Sequence, residues 1–108
     1  MLNDDDVLLL FEEMLLSEKL SSSNTVRAYK SDIKSFIKYI NINYDFSISK
    51  VHSKHISDWL MSLSNNNINR NSYLRKLSSI KEFYKFLHIE SIINLDPSKS
   101  IEAPKKLN

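Results

Sequence analysis

Two groups of basic and hydroxyl side chains recur at helical steps and have the chemistry to grip a polyanion. Arg27, Lys30, Lys34 and Lys38 follow one another at three, four and four residues, with Ser31 beside them. Cations spaced about a turn apart can track a phosphate backbone. The same spacing also describes an ordinary solvated lysine face, and this stretch alone does not decide between them. The second group lies in residues 69–87, where Tyr73, Leu74, Leu77, Ile80, Tyr84 and Leu87 form one apolar arc of an amphipathic helix. Arg75, Ser79 and Glu82 fall nearly opposite that arc, with Ser72 and Lys76 along one edge. Such a helix either lies solvated on a surface or enters a nucleic-acid groove with its polar side.

Other chemistries find little support. Without cysteine there is no thiolate metal site, no disulfide and no Cys nucleophile. Without glycine there is no phosphate-cradling loop of the dinucleotide or Walker type. His52 and His55 stand three apart with no third ligand nearby, which makes them surface histidines rather than a metal pair. Glu12 and Glu13 are adjacent, so on a helix they diverge and cannot share acid/base work. Of the five tyrosines, Tyr29, Tyr73 and Tyr84 fall on apolar stripes and are core residues rather than nucleophiles. No cofactor and no metal is expected.

The elements that carry these residues are helices. Both prolines lie beyond residue 96, which leaves the rest of the chain free of helix breakers. The pattern predicts an all-α domain with helices over about 4–20, 24–41, 53–64 and 69–90. Asp4, Asp5 and Asp6 complement the positive end of the first helix dipole. Its stripe is Val7, Leu10, Phe11 and Met14, and the opposite Leu9 and Leu16 are expected to be buried, with a neighbouring protomer as the alternative cover. Asn69 is the expected N-cap of the fourth helix, with Ile68 stapling its entry. At 108 residues there is material for one core: a domain over 1–95, then a linker over 96–108 leading towards a further domain. Charge is uneven, with six acids against one base in residues 1–26 and eleven bases against four acids in residues 27–85. A basic block of this kind is the footprint of a polyanion partner. No apolar run is long enough to span a bilayer and the start is acidic, so a cytoplasmic protein is expected.

Three pieces then stand in order: Ser23-Asn24-Thr25-Val26-Arg27-Ala28-Tyr29-Lys30-Ser31-Asp32-Ile33-Lys34-Ser35-Phe36; residues 51–63 around Ile56, Trp59 and Leu60; and Arg75-Lys76-Leu77-Ser78-Ser79-Ile80-Lys81-Glu82-Phe83-Tyr84-Lys85-Phe86-Leu87. They are followed by Asp96-Pro97-Ser98 and Ala103-Pro104-Lys105. Together they resemble the N-terminal SAM-like core-binding domain of tyrosine recombinases, the phage integrase family. The match is to the Xer branch, and the Ile101–Lys105 ending leans towards its XerD-like members.

The resemblance implies a four-helix SAM-like bundle that forms one half of a clamp on double-stranded DNA. It implies recombination or integration at a specific site, with chromosome dimer resolution as the Xer task, in the bacterial cytoplasm at the nucleoid. Further protomers would join in a tetrameric synapse. Its second and fourth helices would meet the major groove through Thr25, Arg27, Ser31, Lys34, Ser72, Arg75, Lys76 and Ser79, joined by Arg70 and by Lys81 on the apolar edge. The family's catalytic pattern includes a His-x-x-Arg box, and none occurs here. The fragment is therefore not expected to be an enzyme by itself. The alternative reading is a helical module whose basic flank meets an acidic protein.

Overall fold

In the computed structural model, residues 2–18 and 22–103 are described. Among them are four α-helices and no strand: α1 (Asp4–Ser17), α2 (Ser23–Asn43), α3 (Ser53–Asn65) and α4 (Arg70–Ile89), with a 3-10 turn at Ile48–Lys50. The chain divides into two compact units, Met1–Ile48 and Ser49–Asn108. The expected all-α architecture and the helix positions hold. The expected end of the first helix at Leu20 lies outside the described residues, as do Pro104 and Lys105 of the terminal motif.

In the first unit, α1 packs on α2. Asn3 opens α1 with a reciprocal cap: its Oδ1 accepts from Asp6 N–H at 2.8 Å, and Asp6 accepts from Asn3 N–H at 3.3 Å. Ser22 caps α2, its Oγ accepting from Thr25 N–H at 3.1 Å. The buried side of α1 is Val7, Leu8, Phe11 and Leu15, which corrects the expected stripe of Val7, Leu10, Phe11 and Met14. Leucines at 8, 9, 10, 15 and 16 allow more than one seam, and packing on α2 chose the one through Leu8 and Leu15. Leu9 and Leu16 are 53% and 51% exposed, so the expectation that they are buried is overturned. From α2, Val26, Ile33, Phe36, Ile37 and Ile40 are buried. After α2, Tyr44 stacks on Phe46 with ring centres 5.5 Å apart, and Ile48 is buried while its N–H donates to Asp4 at 3.4 Å. Burial pushes the Asp4 carboxyl above its usual range; the Ile48 N–H opposes the rise and neighbouring Asp5 adds to it.

In the second unit, α3 packs on α4. His52 is exposed and His55 half-buried, as expected of surface histidines, and His55 Nδ1 accepts from His52 N–H at 2.9 Å, closing the first turn of α3. Asn69 caps α4 as expected, accepting from Ser72 N–H at 2.8 Å. Both helices end in the same way without a glycine. After α3, Asn67 N–H reaches Ser64 O at 3.1 Å and Ile68 N–H reaches Leu63 O at 3.5 Å. After α4, Ser91 N–H reaches His88 O at 3.1 Å and Ile92 N–H reaches Leu87 O at 2.9 Å. These are paired Schellman closures, and they put Asn67 at φ 60° and Ser91 at φ 59°. Asparagine tolerates that left-handed conformation, whereas serine holds it at a cost.

Helix α4 is buried over more than one arc. Tyr73, Leu77, Ile80, Tyr84 and Leu87 are inside as expected, and Phe83 and Ser79 are inside as well. The turn after α4 is tied down too: Asp96 Oδ1 accepts from Ser98 N–H at 2.8 Å and Ser98 Oγ at 2.7 Å, and Ser53 Oγ donates to Pro97 O at 2.7 Å. The Asp96-Pro97-Ser98 motif thus locks the segment following α4 onto the start of α3.

Candidate nucleic-acid interface

On α2, the capped start leaves Thr25 exposed, its hydroxyl accepting from Ser22 Oγ at 2.9 Å. Arg27, Ser31, Lys34 and Lys38 are all exposed, and at 100° per residue they fall within a 60° sector of the helix. Among the described residues no carboxylate pairs with Arg27, Lys34 or Lys38. Lys30 has left the row. Its Nζ sits 3.2 Å from Glu12 of α1, so it serves the packing of its own unit. The stripe is three cations and a hydroxyl rather than four cations.

On α4, the exposed row is Asn71, Arg75, Ser78, Lys85 and Ile89, with Glu82 half-buried among them. Arg75 stands where expected. Ser72 and Lys76 are half-buried on an adjoining flank that continues into Ser79 and Phe83. Ser79 is the correction: its relative exposure is 0% and its hydroxyl donates back to Arg75 O at 3.1 Å. A serine scores as polar on a helical wheel, yet its small volume suits a site where another part of the chain comes close. Phe83, one turn later on the same flank, was the signal that this flank turns inward. Lys81 is half-buried and donates from Nζ to Ser98 O at 3.0 Å, so its ammonium is partly committed within its own unit.

Asn71, Ser78 and Lys85 were absent from the sequence-based set, although their spacing with Arg75 is legible once Ser79 is assigned to the interior. Tyr73 shows no activation, since burial pushes its phenol up from the usual range, the wrong direction for a nucleophile. Among the described residues no group of three or more His, Asp or Glu side chains could hold a metal. No helix is long and apolar enough to cross a membrane among them. The two rows therefore offer ammonium, guanidinium and hydroxyl donors on regular helical supports, a donor set suited to phosphate oxygens and, for arginine, to the guanine edge.

Comparison with known proteins matches residues 8–91 to the family described as phage integrase, N-terminal SAM-like domain. The chain is 36% identical over 98 residues to tyrosine recombinase XerD of Rickettsia bellii, covering 91% of this chain and 32% of that protein. It is 34% identical over 101 residues to tyrosine recombinase XerC of Rickettsia prowazekii, covering 89% and 33% respectively. A tyrosine recombinase of Pseudothermotoga lettingae is 32% identical over 97 residues, covering 88% and 34%. The chain spans about a third of the length of these relatives. No solved structure matches it.

Proposed function

The chain belongs to the phage integrase N-terminal SAM-like domain family, and we propose that it binds double-stranded DNA as the N-terminal half-clamp of a site-specific tyrosine recombinase. The observation that carries the proposal is the α2 row, where Arg27, Lys34 and Lys38 are exposed and no described carboxylate neutralises them. In this reading Arg27, Lys34 and Lys38 take backbone phosphates, assisted by the hydroxyls of Thr25, Ser31 and Ser72. Lys76 approaches the backbone from the flank of α4, and Arg75 makes the base-edge contact. Ser79, being buried, is left out. Strand cleavage is assigned to a C-terminal part of a longer recombinase, and chromosome dimer resolution at the nucleoid is its task.

A titration of the chain with a duplex carrying a Xer recombination site, beside a scrambled duplex, tests this at low salt, where phosphate contacts are strongest. Preference for the site supports the reading. Absence of binding to either duplex refutes it and favours a module that meets an acidic protein.

The exposed Leu9 and Leu16 lie seven residues apart on one side of α1 and are assigned to a second protomer in the synapse. Changing both to serine should leave single-site binding intact and weaken cooperative filling of paired sites. Unchanged cooperativity would remove this contact from the account.

A further inference from the structure

The last two turns of α4 and the segment after them border an open pocket of about 380 Å³, lined by Lys81, Lys85, His88, Ile89, Asp96, Ser98 and Lys99. Three lysines and one aspartate contribute to its lining. Asp96 is engaged, because its Oδ1 accepts both the N–H and the hydroxyl of Ser98. Lys81 gives one hydrogen to Ser98 O, which fixes its stem and leaves two for a ligand. Among the described residues no carboxylate pairs with Lys85 or Lys99. The backbone beside Lys99 is anchored, since Ser98 before it is fully buried and Ile101 N–H donates to Ser98 O at 3.1 Å. A concave site bordered by three lysines, one of them fixed by a hydrogen bond, suits an oxyanion that presents several acceptors, as a phosphate group does.

Position narrows the source of that phosphate. Lys85 lies ten residues beyond Arg75 on the same exposed side of α4, about 15 Å along the helix axis at roughly 1.5 Å per residue. The major groove is about 12 Å wide. With Arg75 at the base edges and α4 running across the groove, Lys85 would lie beyond the groove, at its phosphate wall. We infer that this pocket seats a backbone phosphate of the bound duplex, a site that rests on the reading of Arg75 as the groove-facing residue.

The test compares the unaltered chain with a Lys85→Ala, Lys99→Ala double variant. Each is titrated with site duplex over a range of salt and separately with inorganic phosphate. Both lysines are exposed, so the variant keeps the thermal midpoint of the parent. It should lose about tenfold in affinity near about 50 mM salt, and its log–log salt slope should be shallower by about 0.9, the release expected from one phosphate. An unchanged slope in a chain that still binds duplex overturns the pocket alone. Failure of the parent chain to bind any duplex overturns the pocket together with the DNA-binding reading. Saturable binding of inorganic phosphate that the variant loses, with its duplex slope unchanged, would assign the pocket to a free anion and overturn the inference.

Discussion

Removing the α2 row by Arg27→Ala, Lys34→Ala and Lys38→Ala together should change how DNA binding depends on salt while leaving the fold alone. All three side chains are exposed, and among the described residues no carboxylate pairs with them, so their loss breaks no ion pair there. Surface changes of this kind stay within about 0.5 kcal/mol of the parent stability. If each cation neutralises one phosphate, three contacts contribute about 2.7 to the slope of log K against log salt. Between about 50 and 200 mM salt, a slope difference of that size corresponds to about a 40-fold change in the ratio of parent to variant affinity. Fluorescence anisotropy with a labelled duplex at five or so salt concentrations measures it. Lys30→Ala is the internal control. Its ammonium is paired with Glu12 at 3.2 Å, so its loss should cost about 0.2–1 kcal/mol of stability and leave the slope where it was. A triple variant with the parent's slope, or a Lys30→Ala variant that flattens it, would refute the assignment of the row.

Two further expectations concern stability. Ser91→Gly relieves the left-handed conformation at φ 59° in the closure after α4 and should stabilise the second unit by about 1 kcal/mol in urea denaturation; a destabilised variant would show that the Ser91 side chain contributes there. Asp4 holds its proton more tightly folded than unfolded, so its contribution to stability falls as pH rises from the ordinary carboxylate value of about 4 through the raised one. Asp4→Asn keeps an acceptor for Ile48 N–H and should flatten that part of the stability–pH curve; an unaltered curve would mean that the carboxyl is not held up by its burial.

The helix positions were legible because their ends are written in local chemistry. Asn69 was expected to cap α4 and does, and the Ser-rich stretch before Thr25 supplied Ser22 as the cap of α2. Periodicity also placed Arg75 outside and Tyr73, Leu77 and Tyr84 inside. It failed where tertiary packing chose between equivalent patterns. The leucine-rich α1 has more than one seam of similar apolarity, and only its packing on α2 selects Leu8 and Leu15. In α4 a second buried arc through Ser79 and Phe83 is invisible to a reading that assumes one core face. Lys30 shows a third limit: spacing put it in the row, and a carboxylate eighteen residues away removed it.

The most direct measurement is the ratio of affinities for site and scrambled duplex in the parent chain, in Arg75→Ala and in Ser79→Ala. Arg75 is exposed on the outer row of α4, so losing the proposed base-edge bond should cut the preference by about 1–3 kcal/mol, or roughly 5- to 150-fold. Ser79 is fully buried, so its variant, measured where it remains folded, should keep the parent's preference. Equal loss of both duplexes in Arg75→Ala would make Arg75 a backbone contact. An undiminished preference would contradict the claim that this side of α4 reads the site.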